Sequence, residues 1–171
     1  MASVVERVAP SDIAVIAEIE RRSFSDPWSA RSFEDLLAHS RMYFACVRET
    51  PGHAASKALG YVVAWFAGGQ GEIANLAIDP AARGRGLGSA LLDAALDEAR
   101  RHGVDEVFLE VRCSNVRARR LYESRGFAEV GRRRRYYRRP VEDAVILRWT
   151  AVAQPRAQAD MHVNNDCGGG M

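Results

Sequence analysis

Two periodicities alternate along the chain. Apolar residues spaced three or four apart mark helices: Ile13, Ile16 and Ala17; Phe33, Leu36 and Leu37; and Leu91, Leu92, Ala95 and Ala99. The last stripe predicts a long helix over 87–101, with Asp93, Asp97 and Arg100 facing water and Gly103 as its natural end. Shorter apolar or alternating runs predict strands. After the apolar start Val4–Val8 these are Met42–Arg48, Leu59–Phe66, which reads as buried, and Glu72–Ile78, which Asp79-Pro80 stops. Over Val107–Arg112 the alternation sends Val107, Leu109 and Val111 to one side and Phe108 and Glu110 to the other. Phe127–Arg135 and Asp143–Trp149 predict a last antiparallel pair.

Turn chemistry falls between these runs. Ser25-Asp26-Pro27-Trp28-Ser29 reads as a turn, Thr50–Lys57 as a hairpin loop, and Gly68-Gly69 as a break. Ser11 is the expected N-cap of the first helix and Ser29 or Ser32 that of the second. Ser114 would cap a short helix ending before Gly126. The expected fold is α/β, a single domain over residues 1–150 with a mixed sheet of about seven strands and four helices. The polar stretch 151–171, closing on Gly168-Gly169-Gly170, reads as a flexible tail.

Composition narrows the class. With 171 residues, 47% apolar and 27% charged, the chain can bury one core. No apolar run reaches the roughly 20 residues of a membrane helix, and no leader pattern opens the sequence, so a cytoplasmic protein is expected. Cys46, Cys113 and Cys167 form no CxxC pair, and His39, His53, His102 and His162 have no ligand spacing, so neither a disulfide framework nor a metal is expected. The net charge of +2 does not by itself imply nucleic acid. Its distribution is uneven: Lys57 is the only lysine, and six of the eight residues 132–139 are arginine.

The segment Arg83-Gly84-Arg85-Gly86-Leu87-Gly88-Ser89 carries the most chemistry. It joins a strand to the long helix, and its glycines remove side chains where that helix begins. The first-turn N–H groups have no internal acceptors, and with the helix dipole they form an anion site; Arg83 and Arg85 add charge. The segment lacks the lysine of a P-loop, and Ser89 stands after Leu87-Gly88 where GxGxxG needs glycine. It fits RxxGxG at every position. A glycine-rich turn without a ligand is the plain alternative.

Here the chain resembles the GNAT superfamily of N-acetyltransferases over residues 4–149, and within it the RimI type, the ribosomal-protein-alanine N-acetyltransferases. The closer likeness rests on Phe24-Ser25-Asp26-Pro27-Trp28-Ser29, Asn75-Leu76-Ala77-Ile78-Asp79-Pro80, Leu109–Asn115 with Leu121–Phe127, and Arg135-Tyr136-Tyr137 before Glu142-Asp143-Ala144. The short arginine-rich link between Tyr137 and Glu142 and the tail depart from the pattern. The resemblance implies acetyl transfer from acetyl-CoA to an amine, with no metal. It implies Glu110 as general base, through a water, and Tyr122 as general acid for the departing thiolate. It also implies that the backbone of Leu76, Ala77 and Ile78 receives the carrier arm and the oxyanion where the sheet splays, and that Gly84–Ser89 hold the diphosphate.

Other readings stay open beside these. Glu110 could be an exposed strand carboxylate, and Tyr122 a core ring with its hydroxyl at the rim. Asn115 is a cap or a donor to the cofactor. Trp28, Tyr136 and Tyr137 are expected to flank a peptide N-terminus, although Trp28 could equally anchor the core, and strand alternation should leave only one tyrosine facing the substrate. The arginine cluster reads first as a solvated hairpin, next as a patch for RNA or an acidic partner; no specific nucleic acid and no membrane are expected. The leading expectation is a protein N-terminal acetyltransferase acting on the alanine of the eighteenth small-subunit ribosomal protein. A GNAT enzyme for a lysine, polyamine or drug, and a non-catalytic acyl-CoA or RNA-binding module, are the rivals.

Overall fold

The computed structural model describes residues 3–49 and 56–151. The expected hairpin loop therefore lies largely, and the tail all but wholly, outside the described residues. Seven strands form one sheet: β1 (Ser3–Arg7), β2 (Met42–Glu49), β3 (Gly60–Ala67), β4 (Gln70–Ile78), β5 (Glu106–Arg112), β6 (Ala128–Arg138) and β7 (Val141–Thr150). Their order across the sheet is β1-β2-β3-β4-β5-β7-β6, and every neighbouring pair is antiparallel except β4 with β5. The helices are α1 (Ile13–Ser23), α2 (Ala30–Leu37), α3 (Leu87–Arg101) and α4 (Val116–Glu123). The mixed sheet with seven strands and four α-helices is the expected architecture.

Strands β2 and β3 read as near-continuous apolar runs because both their faces are covered. Ala45, Val47, Val62 and Ala64 pack with Leu91, Leu92, Ala95 and Ala99 of α3. Phe44, Cys46, Tyr61 and Val63 pack with Ile13, Ile16 and Ile19 of α1 and Phe33 of α2. Gly68 and Gly69, at φ of 59° and 81°, close the β3–β4 hairpin in two residues, a turn that needs the left-handed region. None of the described helices is long and apolar enough to cross a membrane.

Three local expectations are corrected. A 3-10 turn over Pro10–Asp12 precedes α1, so Ser11 is not its cap; Asp12 instead accepts from the Ala9 N–H at 2.9 Å. Asn115, not Ser114, caps α4, its Oδ1 accepting from the Ala118 N–H at 3.1 Å. The Ser114 N–H donates to Glu142 at 2.5 Å. Strands β6 and β7 also run further than the sequence pattern suggests, leaving only Arg139-Pro140 as their link. At α2, Ser29 is the cap, accepting from the Ser32 N–H at 3.1 Å.

Leu91 is fully buried between α3 and the sheet. Leu91→Ala is expected to lower the unfolding free energy by about 3 kcal/mol, read as a fall in the denaturant midpoint at unchanged slope.

Candidate active site

The glycine-rich turn is built by backbone geometry. Gly84 and Gly86 sit at φ of 81° and 78°, which an L side chain adopts only with strain, and Gly86 is the N-cap of α3. Gly88 serves packing instead: a Cβ there would lie 3.2 Å from Leu121 Cδ2 of α4. The first intrahelical bond runs from the Ala90 N–H to Gly86 O, so the N–H groups of Leu87, Gly88 and Ser89 precede it. They face a cavity of about 310 Å³ whose wall includes Ile78, Arg83, Gly84, Ser89 and Arg117. Arg83 is braced by Ile78 O at 3.2 Å and Ser23 Oγ at 3.3 Å. Arg85 does not line this cavity; it pairs with Glu49 of β2. Arg117, which sequence reasoning missed, stands on the wall. Its signal was helical spacing: it lies one turn before Leu121, the residue that meets Gly88.

Next to this cradle the sheet opens. Strands β4 and β5 pair only at Gln70–Glu72 with Glu106–Phe108. Beyond that point β4 carries a bulge, Ala74 having no partner between Asn75, opposite Val63, and Ile73, opposite Ala64. Leu76, Ala77 and Ile78 stay paired with β3 on one side and have no strand on the other. The gap holds a second cavity, about 300 Å³, lined by Leu76, Glu110, Tyr122, Tyr137 and Arg139 among others. Ser23, Phe24, Leu76, Asn115 and Ala118 line both cavities, which therefore adjoin.

Glu110 projects to the half-buried side of β5, as its alternation predicts. Its Oε1 forms an ion pair with Arg133 Nε at 2.8 Å, and the proximity of the Glu110 carboxylate raises the Tyr136 pKa. Tyr122 is buried on α4 with its ring edge-on to Phe127 at 5.7 Å; burial, and then the nearby Tyr137, raises its pKa above the usual phenol range. Burial likewise pushes Tyr137 up to about 12, against the opposing pull of Arg112. The β6 ladder is irregular between Arg133 and Tyr137. Even so, Tyr137 lines the cavity while Tyr136 is exposed and off its wall, so one tyrosine of the pair faces the site, as expected. Asn115 is a cap that also lines both cavities. The Trp28 ring packs on Phe33 at 5.7 Å and is not on the cavity wall.

The rim is tied down by two residues that sequence reasoning passed over. Glu20 is 1% exposed and accepts from the Trp28 N–H at 2.9 Å, from Asn75 Nδ2 at 3.1 Å and from the Tyr61 hydroxyl. Burial raises its pKa against these donors. Arg112 donates to Ser25 Oγ at 3.0 Å, to Arg139 O and Pro140 O at 3.2 Å, and to Glu142 at 3.3 Å, with its guanidinium 4.1 Å from the Tyr137 ring centre. It thereby joins the α1–α2 turn to the β6–β7 hairpin across the gap. Among the described residues no cluster of His, Cys, Asp or Glu could hold a metal.

The family model described as "Acetyltransferase (GNAT) family" matches residues 13–127. The ribosomal protein bS18-alanine N-acetyltransferase of Escherichia coli is 35% identical over 147 residues, 84% of this chain and 94% of that protein. An uncharacterized Mycobacterium leprae protein is 35% identical over 150 residues, 85% of this chain; the chain spans 40% of that relative's length. The crystal structure of the Escherichia coli ribosomal-protein-alanine N-acetyltransferase superposes with a TM-score of 0.78 at 30% identity, covering 91% of this chain and 98% of that one.

Removing the buried carboxyl strands three donors at once. Glu20→Ala is expected to cost about 3 kcal/mol of stability, measured by denaturant unfolding, with Tyr61→Phe costing less because the carboxyl keeps its other donors.

Proposed function

The chain belongs to the GNAT acetyltransferase family, and from that premise we propose that it acetylates the α-amino group of an N-terminal alanine on ribosomal protein bS18. Supporting this reading is the placement of Glu110 and Tyr122 on one cavity that adjoins the glycine cradle through the gap in the sheet. GNAT acetyltransferases use acetyl-CoA, and the residues present fit it. Gly84 and Gly86 leave backbone bare, the first turn of α3 offers free N–H groups, and Arg83 and Arg117 supply positive charge, a donor set suited to a diphosphate. The free side of Leu76–Ile78 suits the amides of an extended carrier arm. When bound, acetyl-CoA supplies an acyl thioester.

The chain's own residues then have separate tasks. Glu110 collects the proton of the attacking amine, by way of water, and Arg133 holds its carboxylate in place until the peptide arrives. Tyr122 keeps its proton at neutral pH as any phenol does, burial extends that protonation to higher pH, and it can pass that proton to a departing thiolate. Tyr137 lines the cleft that the peptide enters, with Arg112 fixing the separation of the two rims. Trp28 shapes the site from below, holding the α1–α2 turn through Phe33 and Glu20.

The decisive experiment is mass spectrometry of a panel of peptides incubated with acetyl-CoA. Alanine-first peptides with a free N-terminus are expected to be modified at the α-amino group; modification at lysine or of polyamines alone would overturn the proposal. Glu110→Gln and Tyr122→Phe are each expected to lower kcat about a hundredfold or more with little change in acetyl-CoA affinity. Full turnover in both variants would remove their roles.

Position 86 separates charge from backbone. Asparagine tolerates the left-handed region, and a Cβ at Gly86 meets nothing within 4 Å. Gly86→Asn is expected to retain measurable calorimetric binding of acetyl-CoA, and Gly86→Asp to lose it by repelling the diphosphate.

The pH profile follows from two groups. A free α-amine, pKa about 8, must form, so kcat/KM climbs from pH 6 to about 8. The raised Tyr122 phenol stays protonated above its ordinary range, so the rate is expected to hold level to about pH 10 rather than fall. A decline beginning near pH 8.5 would count against Tyr122 as the acid.

A further inference from the structure

Arginines are paired on most of this molecule and left unpaired on one side of it. Outside residues 113–139, Arg41 and Arg83 are the described arginines with no carboxylate partner; Arg7, Arg22, Arg48, Arg85, Arg112 and the others each have one. Within 113–139, Arg117, Arg120, Arg134, Arg135, Arg138 and Arg139 have none among the described residues, whereas Arg119, Arg125, Arg132 and Arg133 do. That stretch holds ten arginines against two carboxylates, Glu123 and Glu129. It carries +8 in a chain whose total is +2, so the remainder carries −6. The positive charge is segregated, not merely abundant.

The fold collects these side chains at one end of the sheet. β6 is an edge strand. Between Arg133, opposite Ala144, and Tyr137, opposite Glu142, it carries extra residues that leave the ladder. Arg135 there has φ of 51°, held by its N–H bond to Asp143 Oδ1 at 2.8 Å. An edge so bulged offers no regular row of backbone groups to another strand; what it offers is guanidinium. Helix α4 joins the same surface, since its Arg119 approaches Glu129 of β6 at 3.8 Å. Tyr136 adds an aromatic ring, 45% exposed.

We propose that this face docks RNA through its phosphates, without reading sequence. With Arg117 given to the cradle, a chain of uniform negative charge satisfies the five guanidinium groups of Arg120, Arg134, Arg135, Arg138 and Arg139, which no described carboxylate neutralises, and the planar fork of arginine matches phosphate oxygens. An exposed ring among arginines is the arrangement on which unpaired bases stack. An acidic protein fits less well, because protein surfaces intersperse both signs and a like-charge encounter with this face is costly. The face ends at Arg139, on the wall of the cavity that holds Glu110. RNA held there lies beside the amine-accepting cleft.

The test uses the full chain and a short fluorescein-labelled single-stranded RNA of mixed sequence, with anisotropy read across about 50–200 mM KCl. Log affinity is expected to fall against log salt with a slope of about −3 to −4, since each phosphate neutralised on a single strand contributes about −0.7. Arg120, Arg134 and Arg138 line neither cavity. Changing all three to Gln is expected to make the slope shallower by about 2 and to weaken binding at about 50 mM KCl tenfold or more. The same three changed to Lys retain the slope, and acetylation of an alanine-first peptide is unchanged in both variants. Three results would overturn the proposal: no anisotropy change at about 50 mM KCl, wild-type binding by the Gln variant, or displacement of the RNA by polyglutamate at equal charge concentration, which would assign the face to an acidic protein.

Discussion

The parallel ladder between β4 and β5 ends after three paired positions, and the rest of the site depends on that ending. Had it continued, the β5-facing edge of Leu76–Ile78 would be closed by main-chain bonds and the sheet would be whole. Instead the bulge at Ala74 turns β4 aside, and Glu110 and the β4 backbone come to face the same gap. Unpaired backbone groups next to a cavity need partners. A ligand rich in amides could supply them, which makes a break in the sheet suited to binding rather than merely a defect.

A gap through a sheet is mechanically weak unless its rims are fixed from both sides. Arg112 fixes them from above, its planar fork satisfying acceptors on the α1–α2 turn and the β6–β7 hairpin together. Glu20 fixes the turn from below, inside the core formed by α1, α2 and the sheet. A buried carboxyl is costly, but with donors from Tyr61, Asn75 and Trp28 it has its lone pairs satisfied, and Asn75 sits immediately after the bulge. The β4 rim of the gap and the α1–α2 turn thus share one hydrogen-bonded support.

Charge is arranged on a larger scale than these contacts. The carboxylates of the chain sit where they neutralise arginines of α1, α3 and the β1–β2 end, while the α4 and β6 side stays positive. Glu110 stands at the border between the two regions, bonded to Arg133. The same hairpin therefore presents its arginines outward to solvent and one of them inward to the cleft.

Much of this was legible along the chain where the cause is local. The limits of α3 match the apolar stripe and Gly103; the left-handed φ of Gly84 and Gly86 follows from the glycine pattern; the placement of Glu110 opposite Leu109 and Val111 follows from the pleat. Those features depend on the repeat of a single element and on residues a few positions apart. The tertiary structure decided what depends on distant partners. Arg85 turns from the cradle to Glu49, the Ser114 N–H goes to Glu142 while the Asn115 side chain caps α4, and Glu110 of β5 meets Arg133 of β6 across the sheet. Glu20 reads in sequence as one more polar position on a helix, and only the closing of the sheet over it turns that position into the anchor of the site. A one-dimensional pattern fixes which side of its own element a residue occupies; what stands opposite that side is set by register and packing across the fold.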